Sequence, residues 1–250
     1  MKINNKYTVF SIVLIVVQFC LSTLINATEI SKEQQEALKL TPDIENGKKV
    51  YKKCAICHGS EAWGTPHGHY PQLAGQHKNV VIKQLADIRA GNRDNPTMYP
   101  FSTAESMGNT QCIADVAAYI EKLPMNPRNE IGFGHDLIKG KQIYTENCVK
   151  CHGQNGEGSN EEFYPRLQGQ SYHYMLRQMR WIQRGKRRNV DKTMVQQIHD
   201  FTGRDITAVI DYCSRLKPNE KLLAKPDWKN PDFNRSYRSA SQYRQQSLPK

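Results

Sequence analysis

The sequence lacks the pattern of a β-sheet protein. No segment of its 250 residues alternates apolar and polar side chains convincingly with the period of two that a half-buried strand shows. It also lacks any stretch that resembles a nucleic-acid-binding module, so its formal net charge of +11 does not by itself indicate binding to DNA or RNA. The absence of strand patterns excludes a sheet-based architecture and predicts an all-α fold.

The amino terminus has the pattern of a secretory signal peptide. Lys2 and Lys6 form a short basic region, and an apolar run relieved by a few polar side chains follows from Val9 to Ile25. Ala27 supplies the small residue of a cleavage site, so we predict a signal peptide over residues 1–27 and an exported, periplasmic body. An uncleaved membrane anchor is the alternative, because the run is close to the ~17–25 residues that can span a bilayer.

A five-residue motif, Cys-x-x-Cys-His, occurs twice at a distance of 94 residues. The two copies are Cys54-Ala-Ile-Cys57-His58 and Cys148-Val-Lys-Cys151-His152. This is the attachment signature of haem c, in which both thiols bind the haem covalently and the histidine is a proximal ligand of the iron. A zinc site built from two Cys-x-x-Cys pairs is the alternative, but such sites prefer roughly 15–20 residues between the pairs and do not require the histidines. The motifs therefore predict two covalently bound haem c groups.

The chain is an internal duplication with the same 94-residue offset. The offset places Tyr70-Pro71-Gln72-Leu73-Ala74-Gly75-Gln76 on Tyr164-Pro165-Arg166-Leu167-Gln168-Gly169-Gln170, and it places Gln84, Gly91 and Arg93 on Gln178, Gly185 and Arg187. A single period of this length indicates a duplicated domain rather than a solenoid. We predict domains over residues 28–125 and 136–217, a linker over 126–135, and a basic tail over 218–250 that is either disordered or draped over the domains.

Each half carries the apolar pattern of three helices. The first helix of the first half is expected to begin near Asp43, a capping residue. The last helix of each half has four apolar residues on one stripe. The middle-helix positions are Val81, Leu85 and Ile88, with Met175, Met179 and Ile182. The last-helix positions are Ile113, Val116, Ala117 and Ile120, with Ile206, Val209, Ile210 and Cys213.

Methionine is the expected second axial ligand of each iron. Met98 lies 40 residues after His58, and Met194 lies 42 residues after His152, each in an expected loop between the middle and last helices. Each methionine stands eight residues before a hydroxyl that could cap the last helix, Ser106 in one half and Thr202 in the other. Ligation by His and Met fills the coordination sphere, so we predict outer-sphere electron transfer and no catalysis at iron.

Other ligating and reactive side chains leave alternatives open. Met107 rivals Met98 in the first half but has no counterpart in the second, and His67 or His69 could instead give bis-histidine ligation. Cys112 and Cys213 are spare thiols, which either pack as small buried apolar groups or form a disulfide.

Basic residues are concentrated in two places. Six lie between Arg177 and Arg188, and the segment from Lys217 to Lys250 has eight Lys or Arg against three Asp or Glu. A solvated face, a docking patch for an acidic redox partner, and pairing with haem propionates are the three interpretations of the first run. The basic surface predicts an acidic partner protein or an anionic membrane face, and the tail is expected to steer docking.

Over about residues 41–217 the chain resembles the dihaem cytochrome c4 family, two class I cytochrome c domains in tandem. The resemblance rests on both haem motifs, both Tyr-Pro-x-Leu-x-Gly-Gln blocks and the Gly-x-Arg after each middle helix. It implies His58 with Met98 on one iron, and His152 with Met194 on the other. It also implies that Pro71 and Pro165 border the imidazoles. The glycine–tyrosine pairs Gly47 with Tyr51 and Gly140 with Tyr144 are implied to let the first helix cross the last near Tyr119 and Tyr212.

The resemblance implies a periplasmic carrier, soluble or membrane-associated, between quinol-oxidising complexes and terminal oxidases. The alternative is a haem c electron-transfer subunit of an oxidoreductase, either a sulfur-compound dehydrogenase or a terminal oxidase complex. A thiosulfate dehydrogenase with cysteine on one iron is disfavoured, because methionine occupies both expected positions. We predict an electron carrier rather than an enzyme.

Overall fold

The computed structural model describes residues 31–234, in which the regular secondary structure is helical. Two isolated single-pair bridges, Met125 with Leu223 and Ser159 with Tyr164, are the only β-type pairings in this range. The predicted all-α fold is therefore confirmed. The predicted signal peptide, residues 1–27, lies outside the described residues, and so does the end of the tail, residues 235–250. Within residues 31–234 no helix has both the length and the apolar character needed to cross a membrane.

Both halves of the chain contain a similar series of helices. In the first half these are α1 Lys32–Lys39, α2 Ile44–His58, α3 Lys78–Arg89, α4 Tyr99–Ser102, α5 Ala104–Met107 and α6 Thr110–Lys122. In the second half they are α7 Leu137–Asn147, α8 Val149–His152, α9 Tyr172–Gln183, α10 Lys192–Ile198 and α11 Gly203–Ser214, followed by a 3-10 turn, Glu220–Leu222. The predicted first, middle and last helices are α2, α3 and α6, with α7, α9 and α11 as their counterparts.

Side chains at the helix ends explain where α2 and α11 begin. Asp43 accepts hydrogen bonds from the backbone N–H groups of Glu45 and Asn46, which is the predicted cap of α2. Thr202 and Asp205 form a reciprocal capping box at the start of α11, so the predicted cap at Thr202 is confirmed.

The expected cap at Ser106 is wrong. Ser106 lies inside the short helix α5, whose own cap is Thr103. The side chain of Asn109 caps α6 instead, accepting from the N–H of Cys112. The first half inserts this extra helical turn before its last helix, which moves the capping position three residues along the chain.

The first and last helices of each half cross at a glycine. A Cβ atom on Gly47 would overlap the carbonyl of Asp115 on α6, and one on Gly140 would overlap the carbonyl of Ala208 on α11. Tyrosines pack beside each crossing, where the rings of Tyr51 and Tyr119 lie 5.4 Å apart. In the second half Tyr144 and Tyr212 are 5.5 Å apart. The crossing implied by the family resemblance is confirmed in both halves.

Each half has its own apolar core. The stripes predicted for the middle and last helices are buried at all fourteen positions named above. The first core also contains Tyr51, and the second contains Tyr144. Because the buried residues form two separate clusters, the duplication predicted from the sequence corresponds to two packed units.

The two halves meet through the repeated glutamine blocks. The N–H of Gln72 donates to Oε1 of Gln170 at 3.1 Å, and Nε2 of Gln170 donates to the carbonyl of Gln72 at 2.9 Å. The side chain of Gln76 pairs in the same reciprocal way with the backbone N–H and carbonyl of Arg166, at 2.9 and 3.1 Å. Gln72 and Arg166 are repeat equivalents, as are Gln76 and Gln170, so the contact has approximate two-fold symmetry.

A second symmetric contact joins the middle helices. Arg93 donates to the side-chain oxygens of Gln84 and Gln178, at 2.9 and 3.2 Å. Its repeat equivalent Arg187 donates to the same two oxygens, at 3.1 and 2.8 Å. In this contact each charged guanidinium group donates to two neutral amide oxygens. We call the contact of Gln84, Arg93, Gln178 and Arg187 the glutamine clamp, and it explains why the same Gln and Arg positions recur in both halves.

Residues 218–234, which we call the strap, leave the second half and pack on the first. The indole of Trp228 lies 5.9 Å from that of Trp63, and the ring of Phe233 meets Tyr51 edge-on at 6.0 Å. Asn230 is fully buried and donates to the carbonyl of Ser60 at 2.7 Å. Of the two possibilities for the tail, the described part is therefore draped over a domain.

Candidate haem-binding sites

The first site lies at the end of α2. Cys54, Cys57 and His58 occupy the last turns of this helix, which stops at Gly59 with a φ of 78°. The motif lines a cavity with about 360 Å³ of empty space, part of it open to solvent. The remaining lining residues are Val50, Lys53, Met98, Phe101 and Met107. Apart from the lysine these are apolar or thioether side chains, as a haem face requires.

His58 is held in the form that binds a metal. Its Nδ1 lies 3.0 Å from the carbonyl oxygen of Pro71, which can only accept, so the proton is on Nδ1 and Nε2 is left as the ligating nitrogen. The imidazole is buried, and burial lowers its pKa despite the opposing hydrogen bond. The neutral ring is therefore the stable form.

The second site repeats this arrangement. Nδ1 of His152 lies 3.2 Å from the carbonyl oxygen of Pro165, and burial lowers the pKa of this histidine too. One local difference is that the helix is interrupted at Cys148, between α7 and α8, whereas the first motif lies in a continuous helix. Both prolines border the imidazole, as the family resemblance implied.

None of the four motif cysteines forms a disulfide within residues 31–234. Burial raises the pKa of Cys54 to about 12 and that of Cys148 to about 11, so both are protonated thiols in apolar surroundings. A protonated, unpaired thiol beside an apolar cavity fits a group that adds thiols across vinyl bonds. The cysteines, the neutral imidazoles and the apolar lining together fit haem c.

The structure brings two thioethers to the first cavity. Met98 and Met107 both line it, and Met98 is half-buried at the start of α4. Met194 packs on the second core together with Cys148. The expectation of a loop position is wrong for Met194, because this residue lies within the helix α10.

Two tyrosines belong to these sites and were not identified from the sequence. The hydroxyl of Tyr70 is hydrogen-bonded to Cys57, and that of Tyr164 to Cys151. Burial, followed by the nearby thiol, raises the pKa of Tyr70, and the bond to Cys151 raises that of Tyr164. The repeated Tyr-Pro block carried the signal. Its prolines were identified from the sequence, but spacing alone gave no reason to place each tyrosine against a motif cysteine thirteen residues earlier in the chain.

The remaining candidates lie elsewhere. His67 and His69 are exposed, and no cluster of three or more His, Cys, Asp or Glu that could hold a metal occurs among residues 31–234. Cys112 and Cys213 are separate free thiols, of which Cys213 is buried in the second core and Cys112 packs against the first. They therefore behave as small apolar groups rather than as a disulfide.

The basic run divides between the domain contact and the surface. Arg177 donates to the carbonyls of Gly68 and His69 in the first half, both at 2.9 Å. Arg187 belongs to the glutamine clamp, and burial beside Arg93 lowers its pKa. The other four cations of the run are exposed: Arg180, Arg184, Lys186 and Arg188. A single docking patch made of all six residues is therefore excluded.

Comparison with known proteins gives the same result as the geometry. A family model described as Cytochrome c matches residues 44–124 and 137–217. The chain belongs to the cytochrome c family. It is 30% identical to cytochrome c4 of Pseudomonas aeruginosa, over 70% of this chain and 89% of that one. It is 31% identical to the thiosulfate dehydrogenase electron acceptor of Stutzerimonas stutzeri, over 73% of this chain and 92% of that one.

The crystal structure of reduced recombinant cytochrome c4 from Pseudomonas stutzeri superposes with a TM-score of 0.62, at 26% identity. It covers 70% of this chain and 100% of that one. The chain is thus a cytochrome of the dihaem c4 type, built from two tandem cytochrome c domains with two covalently bound haem c groups. It is an electron carrier that works with redox partners.

Proposed function

We propose that this cytochrome carries electrons between respiratory redox proteins in the periplasm, by outer-sphere transfer through two haems of the same ligation. Cys54 and Cys57 attach the first haem, and Cys148 and Cys151 attach the second. The axial ligands are His58 with Met98 in the first domain, and His152 with Met194 in the second. Haem iron supplies one-electron redox chemistry at each site.

The matched hydrogen bonds of the two histidines are the observation that supports this proposal. Each ring gives its Nδ1 proton to a proline carbonyl, which orients Nε2 and fixes the tautomer. The reorganisation energy of electron transfer stays small because this hydrogen bond keeps the imidazole from rotating. Thioether sulfur is a soft ligand that favours ferrous iron and raises the reduction potential. With histidine and methionine as its ligands, neither iron would keep an open site for a substrate, which supports a carrier rather than an enzyme.

Two features support the choice of Met98 over Met107. Both side chains line the first cavity, but only Met98 stands at the position that Met194 occupies in the second repeat. Met107 is also enclosed, at 6% exposure, and belongs to the first core, which is the usual role of a buried methionine.

Export to the periplasm is supported by the signal pattern over residues 1–27 and by the covalent haem chemistry, which takes place outside the cytoplasm. The formal charge of +11 supports partners with acidic docking surfaces.

A second candidate function is an electron-transfer subunit of a larger oxidoreductase. It is favoured by the similarity to a relative named thiosulfate dehydrogenase electron acceptor, at 31% identity. Purification from native membranes and periplasm separates the two functions. A stoichiometric complex with a dehydrogenase or an oxidase would establish the subunit, whereas a free protein would establish the carrier.

The ligands are tested by single substitutions in the holoprotein. A pyridine haemochrome assay with intact mass should give two haems, and the oxidised protein should show the far-red sulfur-to-iron charge-transfer band. Met98→Ala and Met194→Ala should each remove about half of this band, since each removes one of two equivalent Fe–S bonds. Met107→Ala is the matched control and should leave the band intact. A band that survives Met98→Ala and weakens in Met107→Ala would refute the first-domain assignment.

A further inference from the structure

The chain crosses between its two domains twice. The linker runs from α6 to α7, and the strap returns from the end of α11 to the first domain. Among the helices of residues 31–234, none of one half packs extensively against a helix of the other, so loops and extended segments make the domain contact. Domains that meet in this way move relative to each other unless something fixes them. A second crossing restricts this motion, because a body attached at two points cannot swing freely about either.

The strap is hydrogen-bonded to the residue that directly precedes the linker. The N–H of Met125 donates to the carbonyl of Leu222 at 2.7 Å, and the N–H of Ala224 donates to the carbonyl of Met125 at 2.9 Å. This pair of bonds is the isolated bridge between Met125 and Leu223. The two crossings are therefore joined to each other where they pass between the domains.

Trp63 of the first domain contacts both crossings. Its Nε1 donates to the carbonyl of Pro124 at 2.9 Å, and its indole lies 5.9 Å from that of Trp228 on the strap. Trp63 follows His58 by only five residues. The junction of linker and strap is thus attached to the segment that leaves the first haem motif.

The side chain of Met125 lies between the two domains. It is 3% exposed, yet it is not part of either apolar core. A Cβ atom on Gly75 would overlap its Cγ, and a Cβ atom on Gly169 would lie 2.9 Å from its Cε, closer than such atoms approach. Gly75 and Gly169 are repeat equivalents, one in each domain. One side chain therefore packs on the same position of both domains, and its burial requires that they stay together.

The strap completes the apolar part of this contact. A Cβ atom on Gly169 would also lie 3.1 Å from Cγ of Pro218, the first residue of the strap, and Ala224 is 6% exposed. The glutamine blocks and the glutamine clamp set the orientation of the domains. Their hydrogen bonds add little net free energy, however, because the same groups bond to water when the domains separate. Burial of Met125 under the strap adds the apolar contribution that these bonds lack.

We propose that the strap acts as a clasp: together with Met125 it holds the two haem domains in one orientation, and this keeps electron exchange between the haems fast. In this exchange one electron leaves the ferrous haem of one domain and reduces the ferric haem of the other, with no bond formed or broken. Its rate falls steeply as the two centres move apart. Met125 and Trp228 are positioning residues, since neither belongs to the haem sites described above. The proposal rests on the proposed carrier function and adds the device that fixes the geometry between its two haems.

Support of the first core alone is the competing role for the strap. Phe233 and Asn230 have this role, because they contact Tyr51 and the carbonyl of Ser60. Met125 lies outside that core, and a strap needed only by the first domain would have no reason to pair with it. The two roles differ in what they protect, which is the domain contact in one case and the first core in the other.

Hydrogen exchange of two backbone amides reports separation of the domains. The N–H of Gln72 donates to the side chain of Gln170, and the N–H of Arg166 donates to the side chain of Gln76, so each bond crosses between the domains. These amides are protected only while the domains are in contact, whereas amides inside α6 and α11 report unfolding of the two cores. The measurement uses the oxidised holoprotein.

Met125→Ala removes the side chain between the domains. The exchange rate of the Gln72 amide should rise about 30-fold, from the lower end of the usual cost of truncating a buried methionine, while amides inside α6 change much less. Met179→Ala is the matched control, because Met179 is 6% exposed and belongs to the second core. It should speed exchange inside α11 and leave the Gln72 amide unchanged. Met125→Leu conserves the volume and should retain the protection of the wild type.

Electron exchange is measured in the half-reduced holoprotein by NMR exchange spectroscopy of the haem methyl signals. Met125→Ala/Trp228→Ala should weaken the cross-peaks between oxidation states, because separated domains exchange electrons slowly. Haem content and both midpoint potentials should stay unchanged, which a damaged haem site would not allow. Phe133→Ala is the control, since Phe133 is a linker side chain that is 74% exposed, and it should keep the cross-peaks of the wild type.

Three outcomes would count against these assignments, and each identifies a different error. Unchanged protection of Gln72 in Met125→Ala, or an equal loss in Met179→Ala, would overturn the clasp. Unchanged cross-peaks in a double variant whose Gln72 amide has lost protection would overturn its role in electron exchange. A wild-type protein without two haems would instead refute the carrier function. If the double variant binds fewer than two haems, Met125→Ala alone takes its place in the same comparison.

Discussion

Phe233 provides a direct test of the strap. The side chain is 4% exposed and packs edge-on against Tyr51, which is itself fully buried at the crossing of α2 and α6. Replacing Phe233 by alanine therefore removes an aromatic ring from the first core. It should also free Asn230 and Asp232, which both bond to the hydroxyl of Tyr119 at 2.9 Å.

The expected loss of stability follows from the burial. Truncation of a buried Phe to Ala typically costs about 3–5 kcal/mol. We expect the lower end of this range, about 3 kcal/mol, for Phe233→Ala. At ~1.4 kcal/mol per factor of ten, this raises the unfolded fraction of the first domain about 100-fold.

The assay is equilibrium unfolding of the oxidised holoprotein in guanidinium, followed by the sulfur-to-iron band and by far-ultraviolet circular dichroism. Phe133→Ala is the matched control, because Phe133 is 74% exposed in the linker and should lose less than ~0.5 kcal/mol. Truncation after Lys217 should destabilise more than Phe233→Ala, because it removes the whole strap. Equal stability of the two alanine variants would refute the packing of the strap.

Three further predictions concern the domain cores and their contact. Gly140→Ala should cost about 1–3 kcal/mol because its methyl group would overlap the Ala208 carbonyl, while Gly203→Ala, with open space around it, should cost nothing in the same guanidinium assay. Gln170→Ala should cost about 1–3 kcal/mol by leaving the buried backbone groups of Gln72 unpaired, and exposed Gln142→Ala is its control. Lys139, then Thr202, lower the pKa of Asp205 to about 2 from a usual 3.8, so its stabilisation is present above pH ~4 and is lost as pH falls toward 2. Asp205→Ala should accordingly cost about 1 kcal/mol at pH 6 and progressively less as pH falls to 2 and below, and a pH-independent difference would contradict this assignment.

The parts of the structure that follow from local pattern could be predicted from the sequence. The Cys-x-x-Cys-His motif ends a helix, so Cys57 and His58 share one cavity by necessity. The helix stripes are buried because the period of 3.6 residues is a property of the backbone itself. The helix-crossing glycines came from family resemblance rather than from periodicity, since a glycine in a helix does not reveal what approaches it.

The parts that depend on distant segments could not be predicted. The strap has few aliphatic residues, and its burial depends on a surface made by Tyr51, Trp63 and Tyr119, more than 100 residues earlier. Composition alone therefore left it open between disorder and draping. The cap of α6 was assigned to Ser106 because the repeat was assumed to be uniform, whereas the first half inserts the short helix α5.

The strap also changes how the role of the tail must be measured. Removing everything after Lys217 would take away positive charge and core packing together, so a slower reaction with a partner would not identify its cause. Truncation after Asn234 removes Arg235, Arg238, Arg244 and Lys250 while leaving Phe233 and Asn230 in place. If the tail steers docking, this shorter deletion should slow electron transfer with an acidic redox protein at ~0.01 M salt, and guanidinium unfolding of the same variant shows whether packing has changed as well.

Differences between the halves, rather than their similarity, contain the information about partners. Duplication accounts for two equivalent histidines, two proline carbonyls and a symmetric glutamine contact, all of which serve the haems and the joining of the domains. A partner that recognised only these shared features would bind both domains alike. The strap packs on the first domain, and Glu146 and Asn147 stand in the second domain where the first has Lys52 and Lys53. An exchange of electrons that begins at one particular haem requires this kind of asymmetry.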